Sequence, residues 1–268
     1  MNNGEKNNLS EIQKAFSQQA ERFNEYQNQT FKNAFTEKAI RSMELQGNER
    51  VLEIAAGTCA LGRMIAPHVS SVTELDITPA MLDAGKKANE KAGITNAEYV
   101  IGNAEELPFD NGTFDIVVSR LAFHHFANPE KIMAESVRVL KPSGKVGIID
   151  MIPPDEEARE TFDYLEILRD PSHTRCLTLD ELSGMAEENG LRVSATGREI
   201  IPMDLISWMG LTETDEKTQK EITDTLIQDL QGGASSGMSP YLENGRIMFH
   251  RHWVFVIAIK HNFVLARY

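Results

Sequence analysis

The spacing of apolar residues changes along this chain. Near the start, Ile12, Phe16 and Phe23 recur at helical intervals and form one apolar face, which predicts an amphipathic helix. A second helical stretch is expected at about 30–45. From Arg50 onwards, short apolar runs alternate with amphipathic stretches, and this pattern predicts strands and helices in turn.

The first part of the predicted sheet lies between residues 51 and 150. Strands are expected at 51–55, 71–76, 97–102, 114–119 and 145–150, with helices at about 60–67, 79–92 and 129–140 between them. Strands that alternate with helices form a parallel sheet covered on both faces. The sequence therefore predicts a doubly wound α/β fold.

The alternation ends after residue 150. We expect helices at about 155–168 and 178–190, the turn-rich sequence RDPSH between them at 169–173, and two late strands at 191–200 and 246–259. Thr178 and Glu181 have the spacing of a capping box, and Gly190 is typical of a helix stop. A connection as long as the one between the late strands more often covers a site than merely joins strands.

We interpret the chain as three parts. Residues 1–45 form an N-terminal helical cover, residues 46–260 form one domain with a lid-like insertion at 203–245, and residues 261–268 form a C-terminal tail. The sheet is expected to have seven strands, mostly parallel, and to end in an antiparallel pair.

Charge and composition narrow the classes of protein. The 27 Lys and Arg against 40 Asp and Glu give a net charge of −13 over 268 residues, which disfavours a nucleic-acid partner. Cys59 and Cys176 are too few for a disulfide framework. The longest apolar run, 253–259, is far shorter than the roughly 20 residues of a membrane span, and the start of the chain lacks the pattern of a signal peptide. We expect a cytoplasmic protein without a membrane span.

Loops that follow strands carry the candidate chemistry, because ligands of doubly wound sheets bind beyond the carboxyl ends of the strands. The first such loop contains the small residues Ala55, Ala56 and Gly57, which allow a ligand to approach the backbone closely. Glu53 directs a carboxylate towards the same crevice. The loop lacks both the G-x-G-x-x-G spacing and the Walker A sequence, so a purely structural turn stays open as an alternative.

The next loops offer polar groups at the same edge. Asp76 ends the second strand, where a carboxylate can accept hydrogen bonds from two ribose hydroxyls or simply cap the next helix. Asn103 and Ala104 follow the third strand and can read an adenine edge, the asparagine through its carbonyl oxygen. The fourth loop carries Arg120 and two histidines.

Four segments together resemble a known family. They are VLEIAAGTC, TELDITPAML, GNAEELPFDNGTFD and HHFANPEKIMAESVRVLKPSGKVGIID. In this order they resemble class I S-adenosylmethionine-dependent methyltransferases, in particular the branch with the ubiquinone and menaquinone C-methyltransferases, over about residues 12–150. The chain departs from the family pattern at Ala55 and Cys59, which replace glycines, and at Asn103, which replaces an aspartate.

The resemblance implies a Rossmann-like methyltransferase fold, S-adenosyl-L-methionine as cofactor, and methylation of a small, partly apolar molecule. It implies cofactor contacts for Glu53, Ala55, Ala56, Gly57, Asp76, Ile77, Met81, Asn103, Ala104, Glu105 and Arg120. His124 and His125 are candidates for proton transfer, with a structural hydrogen-bonding role as the alternative for each. Phe16, Tyr26, His173 and Trp208 are candidates for the substrate pocket.

Some of these residues admit other interpretations. Met203, Trp208, Met209, Met238 and Tyr241 of the insertion either line an apolar acceptor pocket or pack the insertion onto the domain. His124, His125 and Asp150 give no convincing metal-ligand set, so no metal is predicted. A protein that binds the cofactor without transferring a methyl group is the rival function, and the missing fingerprint disfavours a nicotinamide oxidoreductase. The acceptor and the oligomeric state are left open.

Overall fold

The structure is a computed structural model that describes residue 16 and residues 34–261. Eight strands form one sheet in the described part of the chain. They are β1 (Arg50–Ile54), β2 (Ser71–Asp76), β3 (Ala97–Ile101), β4 (Phe114–Arg120), β5 (Leu140–Ile152), β6 (Leu191–Asp204), β7 (Tyr241–Glu243) and β8 (Arg246–Lys260).

The strand order is β3-β2-β1-β4-β5-β8-β6, and the short β7 pairs with β8. Strands β1 to β5 are parallel to one another, whereas β8 is antiparallel to β5, β6 and β7. The predicted doubly wound, mostly parallel sheet of seven strands is confirmed, and β7 adds an eighth strand of 3 residues. The order reverses beside β1, so β1 and β4 are the strands whose ends open into a crevice.

Eight α-helices are described. They are α1 (Ala34–Ser42), α2 (Ala60–Ile65), α3 (Pro79–Lys91), α4 (Pro129–Val139), α5 (Arg159–Arg169), α6 (Leu179–Glu188), α7 (Leu205–Gly210) and α8 (Glu216–Leu230). Short 3-10 turns follow α2 at Ala66–His68 and β4 at Phe123–His125. Among the described residues, no helix combines the length and the apolar character that crossing a membrane requires.

Two apolar cores lie on opposite faces of the sheet. Along β4, Ile116 and Val118 belong to one core and Val117 to the other, as the two-residue repeat of a strand requires. Helices α1, α2, α5, α7 and α8 cover the first face, and α4 and α6 cover the second. The result is the three-layer arrangement that the alternation of elements predicted.

Two strand boundaries differ from the prediction, and prolines explain both. β5 begins at Leu140, directly after α4, rather than at 145. Pro142 disfavours helical backbone at Lys141, and the chain is already extended there. β6 continues through Pro202 to Asp204, since it is an edge strand and pairs only with β8. The insertion between the late strands therefore begins at Leu205.

The capping box before α6 is confirmed. Thr178 Oγ1 accepts a hydrogen bond from the Glu181 amide at 3.1 Å, and Glu181 Oε2 accepts one from the Thr178 amide at 2.7 Å. The cap fixes the point where the RDPSH turn enters α6, and so holds that turn against the end of the sheet. The predicted helix over Ile12 to Phe23, Tyr26, and the tail after residue 261 lie outside the described residues, apart from Phe16.

Candidate cofactor cleft and its histidine wall

A cleft of about 920 Å³, counted to its open mouth, lies at the carboxyl ends of β1 to β4. Every residue predicted to contact the cofactor lines this cleft, from Glu53 in β1 to Arg120 in β4. The loops after four strands, β1 to β4, are brought together here because parallel strands end at the same edge. Their roles towards a cofactor stay a prediction.

The loop between β1 and α2 makes the cleft possible. Its backbone is left-handed at Ala55, Gly57 and Cys59, with φ values of 50°, 52° and 57°. A side chain on Gly57 would point towards Met81, whose methyl group lies 3.7 Å from the ideal Cβ position. Cys59 does not narrow the cleft: its sulfur is fully buried against Gly85 of α3, 2.4 Å from where a Cβ would stand. The cysteine and this helix glycine therefore fit each other.

Asp76 holds the same loop in place. Its Oδ2 accepts a hydrogen bond from the Gly57 amide at 2.7 Å, and its Oδ1 accepts one from the Thr78 amide at 2.7 Å. Burial raises the pKa of this carboxyl, and the amide hydrogen bonds oppose that shift. The Thr78 side chain and the Ile77 amide also interact with this carboxylate, so its position at the edge of the cleft is firmly set. Asp76 therefore links the glycine loop to the edge where a ribose is expected.

A pair of buried carboxyls lies beneath the loop. Glu53 and Glu74 are paired in register across β1 and β2, and both are buried. Glu53 Oε2 accepts a hydrogen bond from the Gly62 amide at 2.6 Å. Burial raises the pKa of both carboxyls, and the neighbouring charge of Glu53 raises that of Glu74 further. The pair is therefore best described as sharing one proton.

Arg120 supplies the positive charge of the cleft. Burial lowers the pKa of its guanidinium to about 10, and the nearby Glu53 opposes the shift. The group therefore stays protonated at neutral pH. A guanidinium beside a carboxylate can bind the carboxylate and ammonium of an amino-acid moiety.

The side-chain amide of Asn103 has a bonded oxygen and an unpaired nitrogen. Its Oδ1 accepts a hydrogen bond from the Glu105 amide at 3.0 Å, so the carbonyl oxygen is already engaged. Its Nδ2 is buried and has no hydrogen-bond partner among the described residues. The unpaired N–H suits an acceptor nitrogen of an adenine ring, and the carbonyl oxygen keeps a second lone pair for the exocyclic amine.

The two adjacent histidines have different surroundings. His125 lines the cleft, and its Nδ1 lies 3.0 Å from the Ser172 carbonyl oxygen. His124 is not among the described residues that line the cleft, and its Nδ1 lies 2.5 Å from Asp150 Oδ1. Burial would raise the pKa of Asp150, but His124 and the amides of Met151 and Phe123 bring it below its usual range. His124 is thus tied to β5, and His125 alone faces the ligand space.

The other substrate-pocket candidates divide in the same way. Phe16 lines the cleft, and its ring meets the His125 ring edge to face at 5.2 Å. Trp208 does not reach the cleft: it is fully buried, 5.0 Å from the Phe249 ring and 5.0 Å from the Arg169 guanidinium carbon. Met203, Met209 and Met238 are also buried in the core, so these side chains take the packing role. No described residue of the insertion lines the cleft.

His173 lies behind the cleft wall. Its Nε2 is 2.8 Å from Asp163 Oδ1, and the Cys176 amide donates to the same oxygen at 2.9 Å. Side-chain atoms of these three residues lie within 4.8 Å of one another. The two hydrogen bonds to one carboxylate account for that closeness without any further ligand, and they fasten the RDPSH turn to α5.

Sequence reasoning missed part of the wall. The unpredicted lining residues are Leu75, Thr78, Gly102, Leu121, Ala122, Phe126, Ala127 and Ile132. Most of them flank predicted residues, so the loops themselves were the available signal. Ile132 belongs to α4 and is brought to the cleft by packing, for which no local pattern gives a sign.

The cleft suits S-adenosylmethionine in the chemistry of its donors and acceptors. Glu53 and Arg120 complement an amino-acid moiety, Asp76 a ribose, and the unpaired amide nitrogen of Asn103 a heteroaromatic nitrogen. Ile77 and Met81 add apolar surface to the lining of the cleft. The fold and this site together define a class I methyltransferase.

Comparisons with known proteins agree. A family model described as a methyltransferase domain matches residues 52–148. The chain is 32% identical over 184 residues to the uncharacterized methyltransferase YcgJ of Bacillus subtilis, which covers 68% of this chain and 73% of YcgJ. A crystal structure of the Bacillus subtilis YcgJ protein superposes with a TM-score of 0.77 at 28% identity, over 85% of this chain and 98% of that one.

Another relative, similar over a shorter stretch, is named for its reaction. The chain is 37% identical over 109 residues to the ubiquinone/menaquinone biosynthesis C-methyltransferase UbiE of Idiomarina loihiensis, which covers 39% of this chain and 43% of that protein. The protein belongs to the class I S-adenosylmethionine-dependent methyltransferases.

Proposed function

We propose that this protein binds S-adenosyl-L-methionine in the cleft and methylates a small, partly apolar molecule. The observation that carries the proposal is the joint placement of Glu53, Asp76 and Asn103 around one cleft that also has apolar wall residues such as Phe126 and Ile132. The relatives support the reaction, and the name of UbiE refers to quinones, which are themselves partly apolar. A protein with a net charge of −13 also favours such a ligand over a nucleic acid.

The residues of the chain have separable tasks in this reaction. When bound, S-adenosylmethionine supplies a methyl group activated by a sulfonium. Asp76 and the glycine loop position the ribose, while Glu53 and Arg120 hold the amino-acid end. Phe16, Phe126 and Ile132 lie on the wall of the cleft and exclude water from the acceptor. Alignment and exclusion of water are the main contributions a protein makes to an in-line displacement.

Two measurements test the proposal. Calorimetry with S-adenosylmethionine and S-adenosylhomocysteine is expected to show one site per chain. Incubation with a panel of hydroquinones, phenols and amines is expected to release S-adenosylhomocysteine with at least one of them. Absence of binding would refute the assignment, and binding without product across the panel would favour the rival function of a cofactor-binding protein.

A further inference from the structure

The hydrogen bonds of His125 define its tautomer. The Ser172 carbonyl oxygen lies 3.0 Å from Nδ1 and can only accept a hydrogen bond, so Nδ1 must carry the proton. A neutral imidazole has only one N–H, and Nε2 therefore holds a lone pair. Nε2 has no hydrogen-bond partner among the described residues, and the ring belongs to the wall of the cleft.

Ser172 and Asp170 enforce this arrangement. Ser172 Oγ donates to Asp170 Oδ1 at 2.5 Å, and the Ser172 amide donates to the same oxygen at 3.0 Å. Because its proton is directed to the carboxylate, Ser172 Oγ presents only lone pairs to His125 Nδ1, 3.1 Å away. The chain Asp170, Ser172, His125 thus transmits one direction of hydrogen bonding into the cleft.

The turn that carries Ser172 is itself braced against the histidines. The His173 amide donates to the Asp170 carbonyl at 2.9 Å, and the Thr174 amide donates to the His124 carbonyl at 2.8 Å. Ser172 is 2% exposed and Asp170 is 4% exposed. A buried turn that is braced in this way fixes the height and angle of the ring it contacts.

Several titratable groups surround the His125 ring. His124 lies at 4.2 Å between ring centroids and His173 at 6.4 Å, Asp170 adds a negative charge, and Phe16 covers an edge. Burial and the neighbouring His124 lower the pKa of His125 to about 3, although Asp170 opposes the shift. Burial would raise the pKa of Asp170, but His125, Arg169 and the bonds from Ser172 bring it to about 2. At neutral pH a neutral imidazole is therefore backed by an ionised carboxylate.

We propose that His125 Nε2 accepts the proton of the methyl acceptor, that Ser172 and Asp170 are its positioning residues, and that the acceptor carries an O–H or N–H group. This inference rests on the proposed function. The acceptor atom bonds to the methyl carbon while the carbon–sulfur bond breaks and its electron pair stays on sulfur. The acceptor's proton passes to Nε2. Burial and His124 oppose the charge of the resulting imidazolium, and the ionised Asp170, linked to the ring through Ser172, offsets part of that cost. No oxidant or reductant is needed.

Nitrogen-15 NMR of the imidazole rings tests the positioning directly and needs no acceptor. In the S-adenosylhomocysteine complex, the wild-type resonance of His125, assigned by its loss in His125→Gln, is expected to show a protonated Nδ1 and an unprotonated Nε2 from pH 6 to 8. Both variants keep the Ser172 carbonyl, but Ser172→Ala removes the second acceptor of Nδ1 and Asp170→Asn removes the carboxylate that orients it, so each is expected to add a detectable fraction of the Nε2-protonated tautomer. The matched controls Ser183→Ala and Asp180→Asn, both on α6, leave it unchanged.

Kinetics with the best acceptor of the panel tests the chemical role. His125→Ala is expected to lower kcat by roughly 10²-fold or more, as for loss of a general base. His125→Gln keeps an oxygen that can accept a hydrogen bond but cannot take the proton, so it should preserve the acceptor KM while losing kcat. Ser172→Ala and Asp170→Asn should lower kcat by about 10-fold with little change in KM.

The outcomes separate the two proposals. Failure to bind S-adenosylmethionine would refute the proposed function itself. If the cofactor binds normally, three results would each overturn the role of His125 alone. They are a protonated Nε2 in the wild type, a tautomer that does not change in Ser172→Ala and Asp170→Asn, and a loss of kcat below about threefold in His125→Ala.

Discussion

Glu53 and Glu74 occupy the same register position on the neighbouring parallel strands β1 and β2, and both carboxyls are buried. No N–H or hydroxyl group of the described residues donates to Glu74, so the Glu53 carboxyl is its polar neighbour. Gly62 leaves the room this requires, since a Cβ there would stand 2.1 Å from a Glu74 oxygen. A carboxylate that lines the cleft is thus coupled to a buried acid that is not among the described lining residues.

Glu74→Gln is expected to stabilise the protein at alkaline pH. The folded-state pKa of Glu74 is raised by burial and by Glu53, so the folded state holds a proton that the unfolded chain releases above about pH 4.5. The free energy of unfolding of the wild type therefore falls as pH rises from that point through the folded pKa. Glutamine cannot ionise and can donate an N–H to Glu53.

Urea unfolding between pH 5 and 9 measures this effect. The variant should exceed the wild type by roughly 1–3 kcal/mol at pH 8 and lose less stability with pH. Glu98→Gln, an exposed glutamate on β3, serves as the control and should follow the wild type. Equal pH slopes for Glu74→Gln and wild type would contradict a shared proton.

Asp76→Ala is expected to weaken binding of S-adenosylmethionine by roughly 2–4 kcal/mol, or about 30- to 1,000-fold. The substitution removes the acceptor for ribose hydroxyls and also releases the Gly57 and Thr78 amides. Calorimetry gives the affinity directly. Asp83→Ala, on the exposed side of α3, should bind as tightly as the wild type, and equal affinity for both variants would remove Asp76 from the site.

Gly57→Val is expected to reduce cofactor affinity by at least about 30-fold, or roughly 2 kcal/mol. The backbone at Gly57 has φ 52°, which a β-branched residue adopts only with strain, and the new side chain would enter the cleft towards Met81. Equilibrium dialysis measures the loss. Gly184→Val in α6 is the matched control, because no atom lies within 4 Å of a Cβ placed there.

Glu166→Gln is expected to destabilise the protein by roughly 3–5 kcal/mol, because it removes the carboxylate charge that two buried guanidinium groups share. Glu166 is fully buried and bonds Arg251 at 2.5 Å and Arg169 at 3.2 Å. Burial would raise its pKa, but the two arginines bring it to about 2. Its stabilisation is therefore present above about pH 4.5 and is lost as pH falls towards 2.

Thermal and urea unfolding at pH 7 and pH 3 check the size and sign of this effect. Glu160→Gln, an exposed residue of the same helix, should leave stability within about 0.5 kcal/mol of the wild type. A Glu166→Gln variant as stable as the Glu160→Gln control at pH 7 would show that the arginines find other partners.

Local patterns were sufficient for the sheet and for the edge of the sheet at which the cleft lies. The sequence pattern predicted β1 to β4 nearly to the residue, since short runs with apolar residues between turns or helices are typical of strands. Loops at strand ends gave Glu53, Asp76 and Asn103, because parallel strands converge at one edge whatever the rest of the fold does. The boundaries of β5 and β6 were missed where Pro142 and Pro202 were tolerated by their positions in the sheet.

The tertiary structure alone decided which side chains face the cleft. Sequence placed His124 and His125 together, but only the 3-10 turn after β4 aims one ring at the cleft and ties the other to Asp150. The sequence predicted Trp208 in the substrate pocket, whereas its ring is buried in the core. The guanidinium carbons of Arg169 and Arg251 lie 5.0 and 5.8 Å from the ring centroid there. The hydrogen bond from His125 Nδ1 to the Ser172 carbonyl oxygen joins residues 47 positions apart in sequence. Pairings of that range depend on how α5 packs on the sheet, and no local spacing encodes them.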